Sequence, residues 1–229
     1  MDGNSAISLI LSGDATLFAV VRLSLIVTLL ATLTASIIGL PLGALVALAR
    51  FPGRNAIIVL LNGFMGLPPV VVGLLVFLAL SRSGPLGSLG LLFTPQAMII
   101  AQAILITPII AALTRQVIED LGAEYQDELT ALEIGVFTRA QTLLWDARFS
   151  LVTILLAGFG RAAAEVGAVM IVGGNIDGFT RVMTTTIALE TSKGNIPLAL
   201  GLGIVLITII LALNALAWGV RQWSEHHAG

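Results

Sequence analysis

The chain has 229 residues and a net charge of −2, with 57% of its residues hydrophobic and only 10% charged. Its mean hydropathy of +1.04 lies outside the range of soluble globular domains, so the bilayer is the solvent this composition predicts. With these figures the chain carries no basic tract for nucleic acid or for anionic lipid. The absence of cysteine excludes disulfides and thiolate metal sites.

Helices of about 20 residues joined by short loops would use nearly the whole chain, leaving no room for a soluble catalytic domain. An all-α integral membrane protein with about five transmembrane helices follows. Residues 1–19 read as an external N-terminal segment; residues 1–11 lack the basic start of a cleaved signal peptide, and 7–11 read as a short interfacial piece. Residues 23–49, 55–81, 83–114 and 194–220 contain no Asp, Glu, Lys or Arg. They give spans at about 20–49, 56–80, 95–117 and 195–220. The third begins only at Pro95, because Ser81-Arg82-Ser83-Gly84-Pro85-Leu86-Gly87 is turn-forming. A further span, 149–173, is long and apolar enough to cross yet carries Arg161 and Glu165, and is expected as one continuous helix. The membrane domain is thus 20–220. Residues 221–229, with His226 and His227 beside Glu225, read as a solvated cytoplasmic tail rather than a metal site.

Five crossings put the termini on opposite sides. One side collects Arg50, Arg54, Arg115, Arg139, Arg148 and Arg221, the other Arg22, Arg82, Arg181 and Lys193. The positive-inside rule then predicts an outside N-terminus and a cytoplasmic C-terminus. The polar stretch 119–148, with seven acidic residues, falls in the cytoplasm. Leu129, Leu132, Val136, Leu143 and Leu144 recur there at helical spacing, which predicts short amphipathic helices and a docking surface.

Pro41, between Gly39 and Gly43, and Pro68-Pro69 remove backbone donors at membrane depth and predict kinks or breaks in the helices. Such breaks either line a pathway, as in many transporters, or serve packing alone. Arg161 and Glu165, four residues apart, would share one helix face and neutralise one another. They either line or gate the route of a charged solute or form a structural ion pair; the structural or gating role is preferred to direct anion binding. Gly173-Gly174-Asn175 permits close helix approach or a sharp helix end. The chain carries no nucleophile–base pair, no paired carboxylates within a span, no metal cluster and no Walker A signature. A transporter built on it borrows ATP hydrolysis from a partner, follows a gradient, or is a passive pore.

Residues Leu129-Thr-Ala-Leu-Glu-Ile-Gly135, followed by Trp145-Asp-Ala-Arg148, resemble the coupling loop of type I ABC importer permeases. That pattern is Glu-Ala-Ala, three residues, Gly, nine residues, then Ile-x-Leu-Pro. Ala131 and Gly135 fall on it, whereas Leu129, Trp145 and Arg148 replace its Glu, Ile and Pro. More specifically, Gly66-Leu-Pro-Pro-Val-Val-Val-Gly73, the 81–87 segment, Phe159-Gly-Arg-Ala-Ala-Ala-Glu165 through Gly174-Asn175, and Thr180 through Gly194 resemble the tungstate permeases, and more distantly those for molybdate and sulfate. The resemblance covers about residues 23–216.

It implies a type I importer transmembrane domain acting as a homodimer in the cytoplasmic membrane of a prokaryote, in contact with membrane lipid. Its partners would be two ABC ATPase subunits holding ATP and magnesium, and an external oxyanion-binding protein; this chain itself would bind no cofactor. Ala131, Glu133 and Gly135 are the implied ATPase-coupling residues. Asn175, Thr184, Thr185 and Thr186 are candidate anion donors by position. Tungstate is the expected cargo, with molybdate or sulfate as alternatives and a gradient-driven carrier as the rival class.

Overall fold

The computed structural model describes residues 15–131 and 134–227. The 7–11 segment, Leu132 and Glu133 of the coupling loop, and residues 228–229 lie outside the described residues. Among the described residues the regular elements are all helical. Three helices are long and apolar enough to cross a membrane on their own: α1 (Ala15–Leu48), α4 (Pro95–Glu124) and α10 (Ile196–His227). α4 has 30 residues, about 45 Å at 1.5 Å per residue, so it projects well beyond a hydrocarbon layer of about 30 Å. The polar end of α4, past residue 117, therefore belongs to the helix and not to a loop. α10 likewise carries on as helix through most of 221–229.

The segment 56–80 is two helices, α2 (Arg54–Phe64) and α3 (Pro69–Leu80), which meet at 104°. Pro68 and Pro69 explain the corner. Pro69 takes the first helical position of α3, where its missing N–H is not needed. The 81–94 connection folds back on α3, with Leu86 N–H donating to Ala79 O at 2.9 Å, and passes through a short 3-10 turn (Gly87–Leu89). Thr94 then caps α4 by accepting from Ala97 N–H. α5 (Gln126–Ala131) and α6 (Val136–Asp146) follow, and α6 stands at 78° to α7 (Arg148–Ala163). After α7 come α8 (Gly167–Gly173) and α9 (Met183–Ser192). The large apolar residues of α6 divide: Leu143 is fully buried, while Val136, Phe137 and Trp145 face outward.

Pro41 does not break its helix, contrary to the expectation from sequence, since α1 runs unbroken through it. The glycines on either side account for this. A Cβ on Gly39 would lie 2.9 Å from Ile110 Cγ2, and one on Gly43 would lie 2.5 Å from the Ala111 carbonyl oxygen. Four residues apart, they form one small-residue face on which the α4 backbone lies directly. That close packing accompanies a helix that continues through the proline. Val27, Ala35 and Ala44 of α1 meet Ile106, Ile110 and Ile118 of α4 in the main core.

Away from that core, Leu29, Leu33 and Ile37 of α1 and Leu200, Ile204, Ile207 and Leu211 of α10 are exposed at helical spacing. In water such stripes would drive aggregation; against acyl chains they are matched.

At the turn from α9 to α10, the buried Glu190 accepts from Lys193 Nζ and Asn195 Nδ2, each at 2.9 Å. The hydrogen bond from Lys193, then that from Asn195, hold its carboxyl below the usual range. A depressed folded pKa adds stability that is present above the unfolded carboxylate pKa and lost as pH falls through the folded value. Glu190→Gln is therefore expected to lower the thermal midpoint at pH 7 modestly. The gap to the parent closes as pH drops below about 4; thermal unfolding across a pH series checks this.

Candidate functional site

The residues 149–173 do not form the continuous helix expected. α7 ends at Ala163 and α8 starts at Gly167, so Glu165 lies in the intervening link and not on a shared helix face with Arg161. No proline is present; Ala162, Ala163 and Ala164 are good helix formers. The break survives because side chains from other helices take over the backbone groups that lipid would leave unsatisfied. Gln102 Nε2 of α4 donates to Ala162 O at 3.0 Å, and Thr184 Oγ1 of α9 donates to Glu165 O at 2.8 Å. Glu165 completes the set by accepting from Ala168 N–H through Oε1 at 3.0 Å, so it caps the first turn of α8.

Arg161 Nη1 reaches Glu165 Oε2 at 3.0 Å across the break. Arg161 sits in the last turn of α7 and Glu165 just ahead of α8. Each charge therefore lies at the helix end whose dipole favours it. Glu165 is 3% exposed and Arg161 36%, so the carboxylate is the buried partner and the guanidinium keeps a path to polar surroundings. Both carboxylate oxygens are engaged.

The break in α7–α8 lies beside the corner in α2–α3. Gly73 of α3 lies so close to α8 that a Cβ there would be 2.7 Å from Ala168 Cα. A Cβ on Gly167 would be 2.9 Å from Val70 Cγ2. Two interrupted segments thus touch just past their interruptions, an arrangement suited to moving one half against another.

The three threonines carry out structural work. Thr184 Oγ1 holds the break; Thr185 Oγ1 accepts from Val182 N–H at 3.1 Å and donates to Val182 O; Thr186 Oγ1 donates to the same carbonyl at 2.7 Å. Each hydroxyl proton is committed to a backbone carbonyl. Ser24 of α1 accepts from Met183 N–H at 2.7 Å, satisfying the start of α9. Ser24, Thr28, Gln102 and Thr184 also line a cleft whose free space admits about one water molecule. In this state it is too tight for a tetrahedral oxyanion. Asn175 is placed elsewhere, in the loop after α8, with φ of 50° following Gly174 in the same left-handed region. Its Oδ1 is buried with no partner among the described residues.

Gln102 and Ser24 escaped the sequence reading. Gln102 had a signal, as a strongly polar side chain in the uncharged 83–114 stretch; Ser24 had none, since serine is common in membrane helices.

The coupling-loop candidates lie at one end of the bundle. Ala131 ends α5 and is exposed, and Gly135 is the residue before α6, with no atom within 4 Å of where its Cβ would be.

The sequence of this chain is similar to those of known transport proteins. The chain is 38% identical over 218 residues to the tungstate uptake system permease protein of Peptoclostridium acidaminophilum, covering 95% of this chain and 96% of the relative. The chain belongs to the ABC transporter permeases, in the tungstate group. A probable anion ABC transporter permease of Haloferax volcanii is 40% identical, covering 90% of this chain and 91% of its own length. The tungstate uptake permease of Campylobacter jejuni is 36% identical over 76% of this chain and 72% of its own length. Permeases of sulfate and molybdenum transport systems are more distant, at 26–30%. No family model matches the chain. As a permease, it is a multi-pass membrane transport subunit and not an enzyme.

Proposed function

We propose that this ABC permease is the membrane subunit of an importer that carries tungstate across the cytoplasmic membrane of a prokaryote by alternating access. The observation that carries the reading is the match, over nearly the full length of both chains, to a tungstate uptake permease. The importer consists of two copies of this chain spanning the membrane within residues 20–220, two cytoplasmic ABC ATPase subunits holding ATP and magnesium, and an external binding protein that delivers the oxyanion. The N-terminus is outside and the C-terminus cytoplasmic. Closure of the ATPases acts on the α5–α6 region through Ala131, Glu133 and Gly135, with Phe137 and Trp145 as exposed apolar anchors. The interrupted α2–α3 and α7–α8 segments are where the resulting motion is taken up. Arg161 and Glu165 act as the pair that holds the second interruption together.

The test is the reconstituted transporter with its ATPase and binding protein. Tungstate-loaded binding protein is expected to stimulate ATP hydrolysis and uptake. Stimulation by sulfate alone, or by molybdate alone, would overturn the tungstate assignment. The coupling assignment has its own test in Gly135→Trp. An added Cβ there meets nothing within 4 Å among the described residues, so the variant is expected to fold and to assemble while ATP hydrolysis no longer drives uptake. Unchanged uptake would move the coupling contact to another position.

A further inference from the structure

An open pocket of about 890 Å³ lies at the α5–α6 end of the bundle, between the ends of α1 and α4, the start of α2, and α6. Its walls include Arg50, Arg54 and Arg139 against one carboxylate, Glu119. That carboxylate is already shared: Arg54 Nη2 pairs with Oε1 and Arg115 Nη1 with Oε2. Arg54 is further fixed by donating from Nε to Val46 O at 2.7 Å and from Nη2 to Ala47 O at 3.2 Å, which also caps the end of α1. Arg50 forms no ion pair among the described residues. Arg139 donates from Nη2 to Leu129 O at 2.6 Å, while its Nε is buried and finds no partner among the described residues.

Among the described residues the pocket therefore carries three guanidinium groups against one carboxylate. Its volume falls within the range of about 300–1,000 Å³ that small-ligand sites occupy. Guanidinium forks match tetrahedral oxygen anions in both charge and geometry.

We propose that this pocket binds a phosphate-like tetrahedral oxyanion group, with Arg50 and Arg139 as its contacts and Arg54 held ready by Glu119. The group comes from one of two sources: the headgroup of an anionic phospholipid, or a free oxyanion such as the cargo on the side where it leaves. The site reaches the start of α2 but lies away from both interruptions, and it does not depend on tungstate being the cargo.

The experiment compares the full-length chain with Arg50→Gln and Arg50→Gln/Arg139→Gln by thermal unfolding and native mass spectrometry. The single variant removes an arginine with no ion-pair partner among the described residues and guards against loss of fold. Probes are tungstate and inorganic phosphate in neutral detergent, and phosphatidylcholine discs with or without phosphatidylglycerol. A saturated site raises the midpoint by about 5–10 °C at a hundredfold excess over the dissociation constant. The parent is expected to show this rise, the single variant a smaller one and the double variant none. A rise with tungstate or phosphate in detergent identifies the free anion; a rise with phosphatidylglycerol alone identifies the lipid. No rise with any probe, or equal rises in all three proteins, overturns the proposal. Loss of tungstate uptake specificity would leave it standing.

Discussion

Replacing Gly43 with valine is expected to abolish recovery of folded protein. An added Cβ at this position would lie 2.5 Å from Ala111 O, 2.8 Å from Thr114 Cβ and 3.0 Å from Arg115 N. Two of the three obstacles are α4 backbone, and the third is the stiff branch point of a fully buried threonine. None can swing aside as the far end of a long side chain would. Relief requires α1 and α4 to separate, and their contact spans the main core from Val27 and Ala35 to Ile110 and Ile118. Overpacking in a close-packed interior costs about 1–3 kcal/mol where side chains can adjust. Here backbone must move, so the cost exceeds that range and takes up much of a stability of about 5–15 kcal/mol. Yield, elution profile and thermal midpoint in detergent measure the effect. Gly63→Ala and Gly203→Ala serve as controls, because a Cβ at either meets nothing within 4 Å. Both sit inside helices, where alanine favours the fold over glycine. A folded Gly43→Val with parental stability would mean that the two helices pack with more slack than this geometry allows.

The same pair of helices illustrates what composition can and cannot convey. α1, α4 and α10 were legible because a lipid-crossing segment must satisfy its backbone internally and present apolar side chains, and both demands are written in residue type. The α2–α3 corner was legible too, since Pro68-Pro69 removes two adjacent donors. Pro41 misled because one proline leaves the outcome to packing, and the packing partner, α4, lies more than 60 residues away in sequence. The interruption at 164–166 was illegible for the opposite reason. Local propensity at Ala162-Ala163-Ala164 favours continued helix, whereas at the break Gln102 and Thr184, from α4 and α9, bond Ala162 O and Glu165 O. Tertiary hydrogen bonds overrode local preference, and no spacing rule along one chain segment records that. The same holds for Thr184, Thr185 and Thr186: a run of three hydroxyls reads as a row of donors until the carbonyls that take their protons are known.

The largest effect on the interrupted segment is expected from Glu165→Ala. The substitution removes the acceptor for Ala168 N–H and the partner of Arg161 at once. Breaking a buried ion pair by deleting one member costs about 3–5 kcal/mol. The low end applies here, because Arg161 keeps 36% of its side chain exposed and can turn toward a polar environment. Glu165→Gln retains an oxygen that can accept from Ala168 N–H and gives up the ionic part, so a loss of about 1 kcal/mol is expected. Arg161→Ala/Glu165→Ala separates the roles left open by the sequence. For a structural pair, removing the second charge relieves the first, so the double variant is more stable than Glu165→Ala and regains tungstate uptake. A pathway in which Arg161 itself attracts the anion gives a stable double variant that hydrolyses ATP and does not transport. The geometry favours recovery: both Glu165 oxygens face protein donors, and each charge matches the helix end beside it. Thermal midpoints of the parent, Arg161→Ala, Glu165→Ala and the double variant give the coupling energy between the two positions, and uptake measured on the same preparations says whether that coupling is all the pair provides.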